Sequence, residues 1–246
     1  MSQSPILVIG STGKTGRRIV KQLAGRGHAV REGSRRSEPP FYWDDPETWP
    51  EALDGVEAAY ISYAPDLAFP GAPAKIEALT KRAVAAGVKR LVLLSGRNEA
   101  KAQQCEDIVR ACGLDFTLVR ASWFSQNFNE GALLEPVLGG VVALPAGDVR
   151  EPFVDADDIA DVAVAALTDD RHAGQLYELT GPRLMTFAEA AGPELAGMFT
   201  ELCREVFDGR NASLGDGVQK ALGREPRDFA GFCHAAAASG VWNLPR

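Results

Sequence analysis

The sequence predicts an α/β fold, in which a doubly wound, mostly parallel sheet is followed by a small, mainly helical C-terminal lobe. Two observations predict this class. Short apolar runs alternate with segments of helical spacing from the N-terminus to about residue 120. Beyond Thr186 the pattern becomes mostly helical and is interrupted by glycines. A chain of 246 residues with 46% hydrophobic content has ample material for such a core.

The first element is a buried strand over residues 6–9, where Ile-Leu-Val-Ile is apolar throughout. A helix is predicted over residues 16–24, and Gly10, Gly13 and Gly16 stand between strand and helix. Glycine adopts positive φ and lets a phosphate approach the backbone, while the helix offers N–H groups and a positive dipole end. The turn therefore indicates a site for the pyrophosphate of a dinucleotide, with a plain strand-turn-helix connection as the alternative.

A phosphate loop of the Walker A type is excluded, although the Gly-Lys-Thr that begins at Gly13 resembles the end of one. That loop needs a glycine or alanine five residues before the Gly-Lys, and Val8 of the predicted strand stands there. The Gly-x-x-Gly-x-x-Gly spacing also predicts a first turn slightly longer than that of Gly-x-Gly-x-x-Gly.

The remaining elements follow the same alternation. Strands are predicted over residues 28–32, 41–43, 56–63, 88–94, 116–119 and 175–179, and helices over residues 74–86, 99–111 and 157–167. Residues 139–147 are predicted as an extended segment with turns. Ligands of an open α/β sheet gather beyond the carboxyl ends of its strands. The candidate loops are therefore residues 10–16, 33–36, 63–73, 95–99 and 120–128.

We expect residues 1–150 to form the nucleotide-binding core. Residues 151–246 are expected to supply the remaining sheet elements and the small lobe on the substrate side, within a single structural unit.

Composition excludes several classes of partner. A net charge of −7 and a pI near 5.1 argue against nucleic acid and anionic membranes, because both need a basic face. No apolar run reaches the roughly 18 residues that cross a bilayer. The four cysteines form no Cys-x-x-Cys pair, and the N-terminus lacks a leader pattern, so we expect a reduced cytoplasmic protein. No metal site is expected, since no ligand spacing joins His28, His172 and His234.

The end of the second strand favours NADP(H). A carboxylate there bonds the ribose hydroxyls of NAD, whereas arginine accommodates a 2′-phosphate. Glu32 is such a carboxylate, but Ser34, Arg35 and Arg36 follow immediately, and guanidinium groups suit phosphate. Lys14 is a further candidate for a phosphate contact. The alternative is that the two arginines form an ordinary solvated loop.

These features, taken with several longer motifs, resemble the NmrA-like, atypical short-chain dehydrogenase/reductase family over nearly the whole chain. The motifs are the glycine turn, Ser34-Arg35, Trp43-Asp-Asp-Pro46, Leu94-Ser-Gly96, Arg120-Ala-Ser-Trp-Phe-Ser-Gln-Asn-Phe128 and Glu151-Pro-Phe-Val-Asp-Ala-Asp-Asp-Ile-Ala160. The resemblance implies an NAD(P)-binding Rossmann protein. The family includes quinone and dye reductases, reductases of natural-product pathways, and regulators that bind the dinucleotide without turning it over.

The resemblance also implies site residues. Those expected to hold the cofactor are Gly10, Thr12, Gly13, Lys14, Thr15 and Gly16 in the turn, Ser34, Arg35 and Arg36 at the adenosine phosphate, and Tyr63, Ala64, Pro65, Ser95 and Gly96 beside the ribose and nicotinamide. Residues 123–128 are expected to form one wall of the substrate pocket, with Trp123, Phe124, Asn127 and Phe128 as its binding residues. Core packing is the alternative for at least one of these aromatic residues, with Phe124 the first choice.

The chain departs from the family pattern in three places. Relatives have an Asp three residues before the Asp-Pro that reads the adenine amino group, and here Tyr42 stands there, which leaves stacking or backbone contacts. The Tyr-x-x-x-Lys pair of ordinary short-chain dehydrogenases is absent, because Arg97 precedes Lys101 by four residues. The segment around residues 188–194 is compressed, which indicates either a reduced lobe with a more open pocket or residues missing from the chain.

The leading hypothesis is an NADPH-dependent reductase that transfers hydride to a quinone, an aromatic polyketide or another conjugated small molecule. Tyr63 is the first candidate for a proton donor, Ser95 the second, and Asn127 is a candidate for orienting a carbonyl. Packing beside the cofactor is the alternative for Tyr63. Two other functions stay open: a non-catalytic NADP(H)-binding sensor that regulates a protein partner, and a non-redox isomerase or cyclase. A homodimer is also left open. The aspartates at positions 155–161 lie at the start of a predicted helix, where Asp157 and Asp158 interact favourably with the helix dipole. This explanation is preferred to a metal site or a catalytic site.

Overall fold

The computed structural model of this chain describes residues 4–131, 133–139, 146, 148–191 and 208–243. The strands are β1 Ile6–Ile9, β2 Val30–Gly33, β3 Ala58–Ile61, β4 Arg90–Gly96, β5 Asp115–Ala121, β6 Arg150–Glu151, β7 Gln175–Leu179 and β8 Met185–Thr186. The helices are α1 Lys14–Gly25, α2 Trp49–Leu53, α3 Ala72–Ala85, α4 Ala100–Ala111, α5 Asn127–Glu130, α6 Leu134–Leu138, α7 Ala156–Thr168, α8 Phe187–Ala191, α9 Gly217–Leu222 and α10 Phe229–Ser239.

Six strands form one sheet in the order β2-β1-β3-β4-β5-β7, which confirms the doubly wound α/β class. Parallel pairing aligns Ile6 with Val30 of β2 and with Ala58 of β3, and aligns Ala58 with Arg90 of β4. The strand order reverses between β1 and β3, because the chain passes from β1 to β2 on one side and then to β3 on the other. The carboxyl ends of β1 and β3 therefore flank the switch point where such sheets bind ligands.

Strand β1 and helix α1 form as the sequence predicts. All four residues of β1 are buried, and Thr15, Ile19 and Leu23 line the buried face of α1 at a spacing of four residues. The predicted strands over residues 28–32, 56–63, 88–94, 116–119 and 175–179 correspond to β2, β3, β4, β5 and β7, and the three predicted helices correspond to α3, α4 and α7. Gly87 has φ +80°, as a C-terminal cap of α3 requires.

The predicted strand over residues 41–43 is wrong, because the backbone there bonds within a local turn. Tyr42 receives hydrogen bonds at its carbonyl oxygen from the Asp45 amide (3.3 Å) and from the Trp49 indole (2.7 Å). Its own amide donates to the Thr48 hydroxyl at 3.2 Å. The aromatic side chains pack against Trp49 instead of alternating across a sheet: the Phe41 ring stacks on it with 5.8 Å between ring centroids.

The described chain divides into two compact units. The first comprises the residues up to Arg120 together with Ile159–Tyr177, and the second comprises Ala121–Asp158 together with the residues from Glu178 onward. These ranges differ from the expected division at residue 150, because the described residues of 121–150 fall in the second unit and Ile159–Tyr177 falls in the first. The assignment of a nucleotide-binding part and a substrate-side part stays a prediction.

Each unit has its own hydrophobic core. In the first unit Leu7, Ile61, Ile76 and Leu93 belong to a large aliphatic cluster between the sheet and its helices. In the second unit the core is aromatic, with Phe128, Phe153, Phe187, Phe229 and Phe232 all buried. A two-stranded antiparallel sheet of β6 and β8 completes the second unit.

Two predictions fall on residues that the structure does not describe. Of residues 139–147, only Gly139 and Ala146 are described, and of residues 188–194 only those up to Ala191. No helix within the described ranges is long and apolar enough to span a membrane.

Candidate functional site

The glycine turn forms a close-packed junction between β1 and α1. Gly10 has φ +80°, and its amide donates to the carbonyl oxygen of Gly33 at the end of β2, at 2.8 Å. The Gly13 amide donates to the Gly10 carbonyl oxygen at 2.9 Å. A methyl group at Gly16 would overlap that same oxygen and would lie 2.9 Å from the Ser11 Cα. The turn therefore requires glycine at position 10, for its positive φ, and at position 16, for its close approach to Gly10.

The turn presents polar groups that bond to nothing else in the described chain. Ser11 is 2% exposed, and its hydroxyl oxygen has no hydrogen-bond partner there. The helix N-cap is Gly13, which cannot supply a capping side chain, and no acidic residue lies in the first turn of α1. A buried hydroxyl without a partner and uncapped helical amides are both satisfied by an anionic group of a ligand.

The other predicted turn residues differ in accessibility. Thr12 is exposed and Lys14 is half-buried, as a contact with phosphate requires. Thr15 is buried, and its hydroxyl accepts a hydrogen bond from the Tyr60 hydroxyl of β3 at 2.8 Å. Burial raises the pKa of Tyr60, so this phenol stays protonated and donates. Thr15 thus connects the turn to the neighbouring strand through its side chain.

The loop after β2 leaves two guanidinium groups accessible. The amide of Ser34 donates to the Ser37 hydroxyl at 2.8 Å, and the Ser34 hydroxyl accepts from the Arg36 amide at 3.2 Å, so the loop backbone is held by its own serines. The Arg35 and Arg36 side chains are exposed and form no hydrogen bond or ion pair with a described residue. Glu32 is exposed as well. The cations needed for a 2′-phosphate are available.

Tyr42 stands beside this loop. Its side chain is 39% exposed, and its hydroxyl donates to the Arg35 carbonyl oxygen at 3.3 Å. An exposed aromatic ring anchored next to the arginine loop offers a face for stacking. This arrangement supports stacking as the adenine contact.

The segment after β3 contains Tyr63, which the sequence predicts beside the nicotinamide. The Tyr63 ring is half-buried and packs edge-on against Trp43, with 4.7 Å between ring centroids. Its hydroxyl bonds to no described residue, so it can donate to a ligand. Ala64 and Pro65, which follow it, are exposed.

Ser95, at the end of β4, donates a hydrogen bond to a buried carboxylate. Its hydroxyl donates to Oε1 of Glu106 at 2.7 Å. Glu106 is 0% exposed, and Arg120 donates to both of its carboxylate oxygens, from Nε at 2.7 Å and from Nη2 at 2.6 Å. A carboxylate held by a guanidinium only accepts, so the single Ser95 proton is engaged. This contact favours an acceptor role for Ser95, whereas the role predicted from the sequence is that of a proton donor.

The loop after Ser95 brings a second carboxyl group to the strand end. A methyl group at Gly96 would overlap the Glu99 carboxyl, so this carboxyl lies directly over the end of β4. Asn98 has φ +57°, a left-handed conformation that asparagine tolerates, and it turns the chain at this point. Burial, reinforced by the negative charge of Asp66, raises the pKa of Glu99 to about 7.

The predicted substrate residues lie in the second unit, where they differ in burial. Phe128 is 2% exposed and packs edge-on against Phe153 and Phe229, with centroid separations of 5.5 and 5.6 Å. Trp123, Phe124 and Asn127 are half-buried. The aromatic side chain that is fully buried in the core is therefore Phe128, whereas Phe124, the first choice from the sequence, is half-buried.

An apolar cavity of about 230 Å³ adjoins this aromatic core. Its lining residues are Phe128, Val137, Ala190, Phe229, Cys233 and Trp242. The Trp242 indole donates to the Phe128 carbonyl oxygen at 3.1 Å, which fixes one wall. Burial raises the pKa of Cys233, so its thiol stays neutral in this apolar setting.

The aspartates at positions 155–161 serve the fold. Asp155 accepts from the amide of Asp157 and from the Gln126 side chain, both at 2.8 Å, at the start of α7. The buried Asp158 binds Arg224 at 2.7 Å and also binds Arg227. Within the described ranges no group of His, Cys, Asp or Glu side chains has the arrangement of a metal site.

The chain matches no protein-family model. Among curated proteins it is 30% identical to festuclavine dehydrogenase of Aspergillus fumigatus, over 95% of this chain and 98% of that protein. It is 29% identical to an uncharacterized oxidoreductase of Bacillus subtilis, covering 98% and 99% of the two chains. It is also 29% identical to an NAD(P)H azoreductase of Xenophilus azovorans, covering 95% and 98%.

Solved structures show the same fold. The triphenylmethane reductase of Citrobacter sp., complexed with NADP(H), superposes with a TM-score of 0.71 at 18% identity, covering 94% of this chain and 99% of that one. The NADPH-dependent quinone oxidoreductase of Escherichia coli, complexed with NADPH, gives a TM-score of 0.69 at 19% identity, covering 95% and 99%.

The fold and the glycine turn thus define an NAD(P)-binding Rossmann protein. The chain belongs to the NmrA-like, atypical short-chain dehydrogenase/reductase family, as its motifs predict. It is an NAD(P)H-dependent oxidoreductase with NADP(H) as its cofactor. The uncapped turn, the buried Ser11 hydroxyl and the accessible Arg35 and Arg36 fit that cofactor.

One curated relative is longer than this chain over the aligned region. The alignment with the Bacillus subtilis protein spans 285 positions and this chain has 246 residues, so at least 39 positions (285 minus 246) lie opposite gaps in this chain. The relative therefore contains residues that this chain lacks.

Four residues of the candidate site are absent from the sequence predictions. They are one hydroxyl group, that of Ser11, and three carboxyl groups, those of Asp66, Glu99 and Glu106. Ser11, Asp66 and Glu99 lie within loops predicted to hold ligands, so loop membership was the available signal. For Glu106, in the middle of α4, there was none.

Proposed function

We propose that this chain is an NADPH-dependent reductase that transfers hydride to a quinone, an aromatic polyketide or another conjugated small molecule. The observation that carries the choice of NADPH is the pair of unengaged guanidinium groups of Arg35 and Arg36 after β2. Arginine recognises phosphate by charge-assisted, often paired, hydrogen bonds. Glu32 is exposed in the same region, and the adjacent cations would offset its repulsion of a phosphate.

The residues of the first unit have distinct tasks in this proposal. The amides of the Gly10–Gly16 turn and the Ser11 hydroxyl bind the pyrophosphate, with Lys14 beside it. Ser34 and Arg35 bind the 2′-phosphate, and Tyr42 stacks on the adenine. Tyr63, Ala64, Pro65, Ser95 and Gly96 line the nicotinamide end. The bound dinucleotide supplies a hydride at its nicotinamide ring.

The substrate class follows from what the site provides and lacks. A Tyr-x-x-x-Lys pair, which protonates an ordinary ketone, is absent, and the Ser95 proton is engaged by Glu106. Hydride transfer to a conjugated acceptor depends chiefly on an acceptor stacked in position. Aromatic side chains and an apolar cavity in the second unit suit a flat ligand. Proteins related to this chain carry the names azoreductase and quinone oxidoreductase, which supports the same class.

The test is a turnover assay with a panel of acceptors. Purified protein is titrated with NADPH, and the nicotinamide absorbance band is then followed after addition of quinones, azo dyes and aromatic ketones. We expect tight NADPH binding and consumption with at least one quinone or dye. The Arg35→Ala, Arg36→Ala double variant is the matched control and should lose NADPH binding while keeping its fold. Binding without consumption across the panel would favour the sensor function, and absence of binding would contradict both.

A further inference from the structure

Two carboxyl groups lie in the segments that follow two adjacent strands of the sheet, β3 and β4. Strands β3 and β4 pair in parallel, with Ile61 opposite Leu93, so the segments that follow them leave from the same edge. Asp66 is in the segment after β3, and Glu99 is in the segment after β4. The negative charge of Asp66 acts on Glu99.

The backbone fixes Glu99 over the strand end. Its carboxyl occupies the space where a side chain at Gly96 would stand, and the left-handed turn at Asn98 directs the chain back. Glu99 is also the N-cap residue of α4, yet its side chain forms no capping hydrogen bond. The Glu99 carboxyl therefore does not cap the backbone amides of α4, which is the usual role of an acidic residue at this position.

Independent features mark this edge as the place of a ligand. Gly10 approaches Ser62 so closely that a methyl group there would lie 3.0 Å from the Ser62 Cβ, which brings the glycine turn against the segment leading to Tyr63 and Asp66. That turn contains the buried Ser11 hydroxyl with no partner among the described residues. The carboxyl pair therefore belongs to the edge that holds the proposed cofactor.

We propose that Glu99, whose carboxyl lies over Gly96 at the end of β4, is a catalytic acid that delivers the proton in the reduction. The inference rests on the proposed reductase function. As hydride reaches one end of the conjugated acceptor, an electron pair moves to its oxygen or nitrogen. A bond from that atom to hydrogen forms while the O–H bond of Glu99 breaks. The resulting carboxylate takes a proton back from water, which completes the balance.

The ionisation of Glu99 suits this task. A general acid works best when its pKa lies near the working pH, and burial with the Asp66 charge raises the pKa of Glu99 to about 7. Asp66 is exposed, and its carboxyl accepts a hydrogen bond from the Ala68 amide at 2.8 Å. The other charged residues on the Glu99 segment are Arg97, which is buried, and Lys101, which is exposed. Because the protonated form is active, the rate should fall as pH rises through about 7.

The first arm of the test measures the carboxyl group without cofactor. In protein labelled with ¹³C at the glutamate carboxyl carbon, the Glu99 resonance is identified by its loss in Glu99→Gln. Its titration midpoint should lie near pH 7, and Asp66→Asn should move it toward the ordinary value of 4.5. A midpoint near 4.5 in the unmodified protein would overturn the proposal.

The second arm measures turnover with NADPH and the best acceptor as a function of pH. Glu99→Gln should lower kcat by about 100-fold and remove the fall above neutral pH, with little change in the dissociation constant of NADPH. Asp66→Asn should move that fall to lower pH, and Glu99→Asp should restore part of the rate. Glu77→Gln and Asp54→Asn, at exposed sites, are the matched controls. An unchanged rate in Glu99→Gln would overturn the catalytic role and leave the reductase function standing. If the unmodified protein consumes no NADPH with any acceptor, the reductase function fails and proton delivery by Glu99 fails with it.

Discussion

Arg120 holds both carboxylate oxygens of Glu106, at 2.7 and 2.6 Å, across the interface of β5 and α4. Glu106 is fully buried, so its charge depends on this guanidinium and on the Ser95 hydroxyl. Through Ser95, the pair connects α4 to the end of β4, where the cofactor is proposed to bind. A buried carboxylate of this kind fixes the Ser95 side chain in one orientation.

Removal of the Arg120 guanidinium should strongly destabilise the protein. Arg120→Met leaves a buried carboxylate without its main partner, so we expect a loss of about 3–5 kcal/mol in the free energy of unfolding. Arg110→Met is the matched control, because Arg110 lies 3.7 Å from Glu106 and is more exposed; it should cost about 0–1 kcal/mol. Urea denaturation measures both, and equal losses would contradict the account of this pair.

Ser11→Ala should separate ligand binding from stability. The Ser11 hydroxyl is buried without a partner, so its removal should leave the free energy of unfolding unchanged or slightly higher. The affinity for NADPH should fall about 3- to 10-fold, the equivalent of one hydrogen bond. Thr117→Ala is the control with the opposite pattern, because the buried Thr117 hydroxyl of β5 donates to the His172 carbonyl oxygen at 2.7 Å and is not part of the proposed cofactor site. Calorimetric titration and thermal unfolding report the two quantities, and an unchanged NADPH affinity in Ser11→Ala would argue against the pyrophosphate contact.

Arg35→Ala tests the choice of cofactor. Loss of a guanidinium that binds the 2′-phosphate should weaken NADPH about 10- to 100-fold and NADH about 3-fold or less. Arg26→Ala removes an exposed arginine at the other end of α1 and should change neither affinity. Fluorescence titration with each nucleotide provides the comparison. Equal losses for NADPH and NADH would exclude Arg35 from the 2′-phosphate site.

Phe128 and Trp123 should respond differently to truncation. Phe128→Ala removes a buried ring from the aromatic core and should lower the free energy of unfolding by about 3–5 kcal/mol. Trp123→Ala removes a half-buried ring and should cost less stability while raising KM for a flat acceptor. Chemical denaturation together with substrate saturation curves distinguishes the two roles. A KM unaffected by Trp123→Ala would remove this residue from the substrate wall.

The sequence predicts those parts of the fold whose signals are local. The strand, glycine turn and helix from Ile6 to Gly25 are adjacent in the chain, and the close contact between Gly16 and Gly10 is encoded by the glycines themselves. Arg35 and Arg36 follow β2 directly in the sequence, so their place beside the strand end is predicted without knowledge of distant contacts. In contrast, Phe41 and Trp43 have strand propensity, but hydrogen bonds to Tyr42 from Asp45 and Trp49 override it.

The candidate site is predicted less completely, because its carboxylates depend on contacts between separate elements. Glu106 meets Ser95 and Arg120 from positions 11 and 14 residues away, through the packing of α4 on the sheet. The Glu99 carboxyl lies over Gly96 after a left-handed residue, Asn98, whose conformation the sequence pattern does not predict. The burial of Phe128 is likewise set by Phe153 and Phe229, which are distant in sequence.

A single-turnover experiment with the unmodified protein decides whether this chain reduces a conjugated acceptor with NADPH. Protein saturated with NADPH is mixed with excess naphthoquinone, and the nicotinamide absorbance is followed against the same mixture without protein. We expect loss of one equivalent of NADPH per site at a rate well above the protein-free rate, and a much slower loss when Arg35→Ala replaces the unmodified chain at the same NADPH concentration. Bound NADPH that persists with the quinone and with every other acceptor of the panel would contradict the reductase assignment.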